Sequence, residues 1–203
     1  MSGTDGRPDD AVLSEEGRDD RRRLAADRVW IIDPLDGSNE YGEPGRGDWA
    51  VHVALWEHGV LTAGAVALPA LDLVFGTRPP PTVPTSTRSR PRIATSRWRA
   101  PYSAVVIANA LGGDALRIGS AGAKAMTVVA GEADIYVHDS GMYQWDSAAP
   151  AAVALAAGLH VSRVDGSPLV YNTADPWLPD VLICRPELAD EVLTVLRADR
   201  RWG

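Results

Sequence analysis

The sequence predicts an α+β fold, with an antiparallel sheet in its first part and a mixed sheet with helices in its second part. Between residues 49 and 77, strand-like segments alternate with turn signals at short intervals, as in an antiparallel meander. After residue 92, short apolar strands alternate with helical segments, several of them rich in alanine. The chain has 203 residues, 45% of them apolar and 23% charged, which is enough for one core or for two small lobes.

The first part begins after residues 1–10, which are polar and are expected to form a disordered tail. A short strand over 11–13 leads into an acidic pair, and residues 17–28 are expected to form a solvated loop or a surface helical turn. The apolar run from Val29 to Ile32 predicts a buried strand that Pro34 should end. The meander adds three expected strands, over 49–56, 60–68 and 71–77.

Residues 78–91 are rich in proline, serine, threonine and arginine, which predicts an exposed loop or linker. We place the boundary between the two parts there, so that the first part covers residues 11–91 and the second covers residues 92–203. The expected strands of the second part cover 92–94, 116–119, 133–137, 160–164 and 181–184. The expected helices cover 101–111, 121–130, 145–157 and 186–197.

Charge and composition argue against several classes of protein. A net charge of −7 and a pI near 5.0 argue against a nucleic-acid partner, because the phosphate backbone would be repelled. The sequence contains no apolar run long enough to span a bilayer, and its N-terminus has no signal-peptide core. The single cysteine, Cys184, fits a reducing compartment. We therefore expect a cytoplasmic protein with no membrane partner.

The segment from Trp30 to Ser38 carries the most informative pattern in the chain. Asp33 and Asp36 follow an apolar strand and are themselves followed by Gly37. Two acids at the end of a buried strand are costly unless they hold a cation or a hydrogen-bond network. The pattern therefore favours either a divalent-metal and phosphate site or an Asx-turn with an acidic loop.

Two other places carry acids at the boundary of a structured element. Glu15 and Glu16 follow the first strand, and Asp146 lies at the start of an alanine-rich helix. Taken alone, the glutamate pair fits a solvated loop, and Asp146 fits an N-cap residue. If the acids converge, however, they can hold Mg²⁺ ions on either side of a displacement at phosphorus.

In order along the chain, three motifs resemble those of the inositol monophosphatase-like superfamily of Mg²⁺-dependent, lithium-sensitive phosphatases. The motifs are Ser14-Glu15-Glu16, Trp30-x-Ile32-Asp33-Pro34-Leu35-Asp36-Gly37-Ser38 and Trp145-Asp146-Ser147-Ala148-Ala149. Within the superfamily the chain is most similar to the 3'(2'),5'-bisphosphate nucleotidases of the CysQ type, particularly actinobacterial ones. The residues that carry this closer similarity are Glu40, the segment 119–124 with Lys124, and the segment 144–150. The resemblance implies the layered αβαβα fold of sugar phosphatases.

The resemblance also implies a site for two or three Mg²⁺ ions. The metal ligands that it implies are Glu15, Asp33, the backbone carbonyl of Leu35, Asp36 and Asp146. It implies that the amides of Gly37 and Ser38 cradle the scissile phosphate and that the Ser38 hydroxyl orients the attacking water. Lys124 would contact the second phosphate or the nucleotide, unless it is a helix-surface lysine. Asp146 would also contact the substrate, and the implied catalytic residues are Glu15, Asp33, Asp36, Ser38 and Asp146.

Two features depart from the family pattern. Ser38 stands where the family has threonine, which keeps the hydroxyl and loses only a methyl group. No N-terminal segment of two helices, which normally precedes the glutamate pair and bears a water-activating acid, is recognisable before Ala11. We therefore expect an N-terminally truncated fold with intact metal ligands but weak turnover by this chain alone. Apolar side chains of the first sheet are expected to be exposed at Val51, Val53 and Leu55.

The expected reaction, as the resemblance implies, is hydrolysis of the 3'-phosphate of adenosine 3',5'-bisphosphate, which would link the protein to sulfate assimilation. The alternatives are the same chemistry on inositol 1-monophosphate or fructose 1,6-bisphosphate, and a non-catalytic remnant that binds metal or nucleotide. The expected partner is a small phosphorylated substrate, either adenosine 3',5'-bisphosphate or a sugar or inositol phosphate. Both a monomer and a homodimer are compatible with the sequence.

Several other residues are expected to have no catalytic role. The histidines have no metal-ligand spacing, and Cys184 follows an apolar strand and is expected to be inert. The run Arg21-Arg22-Arg23 is expected to be a solvated turn. The histidines concerned are His52, His58, His138 and His160.

Overall fold

The structure is a computed structural model that describes residues 10–199 and residue 201. Apart from Asp10, the tail expected over residues 1–10 lies outside the described residues. In the described part of the chain, no helix is both long enough and apolar enough to cross a membrane.

The first sheet has five strands in the order β1-β2-β3-β4-β5. The parallel pairing of β1 with β2 is followed by antiparallel pairing of every later neighbour, so the expected meander is present. The strands are β1 (Ala11–Ser14), β2 (Arg28–Asp36), β3 (Ala50–Glu57), β4 (Val60–Leu68) and β5 (Leu73–Gly76).

Strand β2 does not end at Pro34, contrary to the sequence prediction. It continues to Asp36, and its register against β3 shifts between Asp33 and Asp36. Proline is tolerated there because the irregularity removes the requirement for a ladder hydrogen bond. The same irregularity re-aims the side chains, which lets both aspartates face inward.

The second sheet is mixed and also has five strands, in the order β10-β12-β8-β6-β7. Strand β6 pairs in parallel with β7 and β8, whereas β12 pairs antiparallel with β8 and β10. A separate two-stranded ribbon joins β9 to β11. The strands are β6 (Arg92–Ser96), β7 (Asp114–Ile118), β8 (Ile135–His138), β9 (Met142–Tyr143), β10 (His160–Ser162), β11 (Trp177–Leu178) and β12 (Val181–Cys184).

The helices form two layers. The helices that pack on the first sheet, α3 and α4, also pack on the second, whereas α2 and α5 pack together beside the second sheet. The described residues thus form the four layers βαβα of the expected αβαβα arrangement. The helices are α1 (Ser38–Gly42), α2 (Tyr102–Leu111), α3 (Ala121–Val129), α4 (Gln144–Ala156) and α5 (Pro186–Ala198).

Helix α4 packs closely on the first sheet because the facing residues are small. A side chain at Gly64 of β4 would place its Cβ 2.7 Å from the Cβ of Ala152. Such close packing leaves no gap between helix and sheet. It also holds α4, whose first turn carries Asp146, against the first sheet.

Two expectations about exposure need correction, that of a solvated Arg23 and that of exposed apolar side chains on the first sheet. Arg23 is fully buried in a 3₁₀ turn over Arg21–Ala25, where its guanidinium donates to Asp19, to the Asn172 side chain and to the Thr173 carbonyl. A buried arginine needs such partners, and the most distant of them lie about 150 residues along the chain, where the sequence gives no indication of them. On the first sheet, Leu55 is buried, while Val51 and Val53 are half-buried.

The segment between β5 and β6 lacks helix and strand but is held to the second part by hydrogen bonds. Arg88 donates to Asp134 and to the Gly131 carbonyl, and Arg185 donates to the Pro84 carbonyl. The division of the chain into two parts at this segment stays a prediction.

Candidate active site

Three aspartates converge between the two sheets. Asp33 and Asp36 lie at the end of β2, and Asp146 lies in the first turn of α4. One carboxylate oxygen from each lies within 4.8 Å of the others. The structure therefore brings together acids from two of the three motifs found in the sequence.

Asp36 is anchored by the first turn of α3. Its Oδ2 accepts a hydrogen bond of 2.6 Å from the Gly122 amide, and its Oδ1 accepts one of 3.3 Å from the Ala121 amide. Burial by itself would raise the pKa of Asp36, but His52 and the Gly122 amide lower it below its usual value. Asp36 is thus a carboxylate that stays ionised although only 9% of it is exposed.

The carboxylate of Asp33 has fewer hydrogen-bond partners than that of Asp36. Its Oδ1 accepts a hydrogen bond of 2.9 Å from the Leu35 amide, which is the Asx-turn contact considered from the sequence. Its Oδ2 is buried and has no hydrogen-bond partner within the described residues. Burial and the neighbouring Asp36 raise the pKa of Asp33. Among the described residues nothing satisfies this buried oxygen, as is expected where a water or an ion binds.

Asp146 occupies the third position of α4, with Tyr143 as the N-cap, and so is not the N-cap residue itself. Its Oδ2 accepts a hydrogen bond of 2.7 Å from the Tyr143 amide. Burial and the charge of Asp36 raise the pKa of Asp146 to about 7. The residue therefore caps the helix and at the same time faces the other two acids.

His52 is the site residue that the sequence did not reveal. It is fully buried on β3, with Nε2 at 3.3 Å from Asp36 Oδ2 and Nδ1 at 3.1 Å from the Trp145 carbonyl. The carbonyl accepts from Nδ1, so the ring joins the end of β2 to the start of α4. Burial opposes its charge, but Asp36 outweighs burial and raises the pKa of His52.

Glu15 lies at the edge of this cluster. It is exposed and is not among the three acids whose oxygens lie within 4.8 Å of one another. Burial and the charge of Asp33 nevertheless raise its pKa, so the two carboxylates are close enough to interact. Its role as a metal ligand stays a prediction, as does that of the Leu35 carbonyl.

The turn after Asp36 requires glycine. Gly37 has a φ of +90°, and a Cβ at this position would lie 2.8 Å from the Cβ of Ser120. This turn starts α1 and leaves Ser38 exposed at its first position. The phosphate contacts of the Gly37 and Ser38 amides and the role of the Ser38 hydroxyl stay predictions.

Lys124 lines a cavity together with Asp36 and Asp146 and is not a helix-surface lysine. Only 6% of it is exposed, and its Nζ donates a hydrogen bond of 2.5 Å to the Gly119 carbonyl. Burial lowers its pKa, while Asp36 is the largest of the acids that oppose this shift. The cavity has a volume of about 380 Å³ and is lined by Asp36, Ala121, Lys124, Tyr136, His138, Gly141, Met142, Tyr143, Asp146 and Trp177.

The donor set fits a divalent cation. Asp33 and Asp36 are buried and Asp146 is half-buried, and burial together with the charge of Asp36 raises the pKa of both Asp33 and Asp146. Oxygen ligands are those that Mg²⁺ prefers, and the Oδ2 atom of Asp33 has no hydrogen-bond partner in the part of the chain that the structure describes. The cluster therefore has the chemistry and the unsatisfied group that a bound cation would complete.

Fold and site together define a class, that of layered α+β proteins whose buried carboxylates are suited to a divalent cation next to a small-molecule cavity. A family model described as the inositol monophosphatase family matches residues 4–198. The chain belongs to this family.

Individual relatives agree with this assignment. The chain is 52% identical over 199 residues to a 3'-phosphoadenosine 5'-phosphate phosphatase of Mycobacterium bovis, covering 92% of this chain and 73% of that protein. It is 32% identical over 187 residues to the 3'(2'),5'-bisphosphate nucleotidase CysQ of Escherichia coli, covering 84% of this chain and 74% of that protein. A crystal structure of CysQ from Bacteroides thetaiotaomicron superposes with a TM-score of 0.75 at 26% identity, covering 86% of this chain and 76% of that one.

Cys184 is remote from this chemistry. It is fully buried on β12, and burial raises the pKa of its thiol to about 12. A thiol with such a pKa is a poor nucleophile at neutral pH.

Proposed function

We propose that this protein is a Mg²⁺-dependent phosphatase that removes the 3'-phosphate from adenosine 3',5'-bisphosphate. The observation that carries the proposal is the cavity in which Asp36, Asp146 and Lys124 meet, since it offers both a cation site and a fixed positive charge. A substrate with two phosphates matches this pair of features. Similarity to enzymes named for this substrate supports the choice of nucleotide.

Asp33, Asp36 and Asp146 would hold the metal, with Glu15 and the Leu35 carbonyl as further ligands for a second or third ion. Bound Mg²⁺ supplies Lewis-acid chemistry, neutralising phosphate oxygens and lowering the pKa of water. In this proposal the chain's own groups supply the positioning. Asp36 is held ionised by His52 and the Gly122 amide, and the contacts of His52 with Asp36 and the Trp145 carbonyl hold the end of β2 next to the start of α4.

The remaining residues would orient the substrate. The amides of Gly37 and Ser38 would bind the scissile phosphate, and the Ser38 hydroxyl would orient the water that attacks phosphorus. The P–O bond to the ribose 3'-oxygen breaks, and a proton from the water ends on that oxygen. Lys124 would bind the second phosphate, because its buried ammonium group has a single hydrogen-bond acceptor, the Gly119 carbonyl, among the contacts described.

The test is phosphate release from a substrate panel in the presence of Mg²⁺, with and without Li⁺. The panel contains adenosine 3',5'-bisphosphate, inositol 1-phosphate and fructose 1,6-bisphosphate. We expect the nucleotide to have the highest kcat/KM and Li⁺ to inhibit its hydrolysis. Preference for inositol 1-phosphate or fructose 1,6-bisphosphate would assign the protein a different substrate within the same family. No turnover of any of the three substrates would favour a non-catalytic binding protein.

Lys124→Ala sharpens this test. If Lys124 binds the second phosphate, the variant should lose kcat/KM for adenosine 3',5'-bisphosphate on the order of 10- to 100-fold, while turnover of inositol 1-phosphate changes little. Equal losses on both substrates would show that Lys124 supports the site in general. We further propose a cytoplasmic location, a link to sulfate assimilation and a possible homodimer.

A further inference from the structure

An aromatic cluster borders the cavity next to the carboxylates. The Tyr143 and Trp145 rings stack with centroids 4.6 Å apart and an angle of 13° between their planes. The Tyr143 and Trp177 rings meet edge-to-face, with centroids 5.2 Å apart at 85°. Tyr143 is 43% exposed and Trp177 is 45% exposed, although both rings line the cavity.

Backbone structure fixes these two rings in place. Tyr143 and Trp177 are directly opposed across the β9–β11 ribbon, and the Trp177 amide donates to the Asp175 side chain. The indole packs against Gly141, where a Cβ would lie only 1.8 Å from its Cζ2. Because the rings are held before any ligand arrives, a ligand would not have to order them.

The cluster is also tied directly to the acidic site. The Tyr143 amide donates a hydrogen bond of 2.7 Å to Asp146 Oδ2, so the aromatic cluster lies directly next to the carboxylates. A ligand whose phosphate lies at the carboxylates would therefore have its neighbouring group against Tyr143 and Trp177. A planar, uncharged group suits such a surface, because nucleobases stack on aromatic side chains.

We propose that Tyr143 and Trp177 form a base-binding platform for the purine of the substrate nucleotide, in which the base stacks on one ring and meets the edge of the other. This inference rests on the proposed function and adds the residues that select a nucleotide over a bare sugar phosphate. Neither residue belongs to the three motifs of the sequence. The platform acts on substrate binding and not on the chemical step, so it should affect KM more than kcat.

The test compares two substrates that differ only in the base, adenosine 3',5'-bisphosphate and ribose 3,5-bisphosphate. Trp177→Ala should raise KM for the nucleotide on the order of 10- to 100-fold, since stacking on an aromatic side chain is worth about that factor. Its KM for ribose 3,5-bisphosphate and its kcat for both substrates should stay within about 3-fold. Trp177→Phe should restore most of the loss because it keeps an aromatic face.

Two further variants guard against a merely structural effect. Tyr143→Leu removes the second ring without touching the packing on Gly141 and should show the same selective loss. Trp98→Ala is the matched control, because Trp98 is 69% exposed and does not line the cavity. The proposal is overturned if Trp177→Ala and Tyr143→Leu affect both substrates equally, or if Trp98→Ala gives the same selective loss.

A binding measurement separates failure of this inference from failure of the proposed function. Adenosine 5'-monophosphate and ribose 5-phosphate are titrated into the full chain by calorimetry, whether or not the protein turns over. Tighter binding of the nucleotide, lost in Trp177→Ala, supports the platform even if hydrolysis is absent. Equal affinity for the two ligands contradicts it even if adenosine 3',5'-bisphosphate is hydrolysed.

Discussion

The negative charges of two buried carboxylates, Asp134 and Asp33, are compensated to different degrees by the protein. Asp134, which is 2% exposed, accepts hydrogen bonds of 2.7 Å from Arg185, 3.1 Å from Arg88 and 2.8 Å from the Arg92 amide. Burial opposes its charge, but the Arg92 amide and the arginines outweigh burial and lower its pKa. The pKa of Asp33, which is 1% exposed, is instead raised, because burial and the charge of Asp36 outweigh His52 and the Leu35 amide.

This difference distinguishes a carboxylate with a structural role, Asp134, from one in a candidate functional site, Asp33. At Asp134 the protein supplies the compensating charge itself, and the cluster joins the 78–91 segment to the second sheet, so that removing one partner would leave a buried charge unpaired. At Asp33 the compensation is incomplete, which costs stability unless a cation binds. A buried acid with a raised pKa among like charges is therefore the better indicator of a functional site.

The largest expected effect contrasts Asp36→Asn with Asp134→Asn. Asp36→Asn should lower kcat/KM for adenosine 3',5'-bisphosphate on the order of 100- to 1,000-fold, because it removes a charge that we propose binds the metal. Asp134→Asn should leave kcat/KM per folded molecule within about 2-fold. Steady-state phosphate release measures both variants. Full activity of Asp36→Asn would contradict the assignment of the site.

The next effect concerns stability. Arg185→Ala leaves the Asp134 carboxylate buried with one arginine fewer and should lower the free energy of unfolding by about 3 kcal/mol, measured by urea denaturation. The matched control is Arg90→Ala, because Arg90 pairs with Asp114 at the surface, where both side chains are more than half exposed. That variant should cost under about 1 kcal/mol. Similar losses of stability in Arg185→Ala and Arg90→Ala would contradict the claim that the buried Asp134 cluster differs from a surface ion pair.

In the cluster of Asp33, Asp36 and Asp146, removal of one charge should raise the stability of the protein and not lower it. Asp146→Asn removes one of three like charges, and its amide oxygen can still accept from the Tyr143 amide. In metal-free buffer the variant should be more stable than the wild type by about 1 kcal/mol. Added Mg²⁺ should raise the Tm of the wild type and not that of the variant. A variant that is less stable in the absence of metal would show that the acids do not repel.

The smallest effect is the pH dependence of the Asp134 cluster. The pKa of Asp134 in the folded protein lies below its usual 3.8. Its contribution to stability is therefore fully present above the usual value and is lost as pH falls through the lower, folded-state value. The stability difference between wild type and Asp134→Asn, measured by thermal unfolding from pH 7 to pH 3, should narrow only below about pH 4. A difference that narrows near neutral pH would point to another group.

Much of the fold could be predicted because its signals are local. The expected meander and the alternation of strand and helix are both present, since apolar periodicity and turn residues act over a few positions. The continuation of β2 past Pro34 was missed because an irregular register depends on the partner strand β3. The buried Arg23 was missed because its main partner, Asn172, is 149 residues away.

The site was predictable to the extent that its residues belong to motifs. Asp33, Asp36 and Asp146 converge, although only the resemblance to a family pointed to their convergence. His52 stands alone in the sequence, and its contacts with Asp36 and Trp145 arise only when β3 lies between β2 and α4. Trp177 belongs to no motif, and only the pairing of β9 with β11 brings it to the cavity.

The most direct test of the central claim, that the three aspartates form the cation site of a phosphatase, is a Mg²⁺ titration of chelator-treated protein. Binding heat and phosphate release from adenosine 3',5'-bisphosphate are followed in parallel. We predict no release before metal is added, and release that rises as the ion binds and saturates with it. Release that is undiminished without metal, or turnover without any detectable Mg²⁺ binding, would contradict the account.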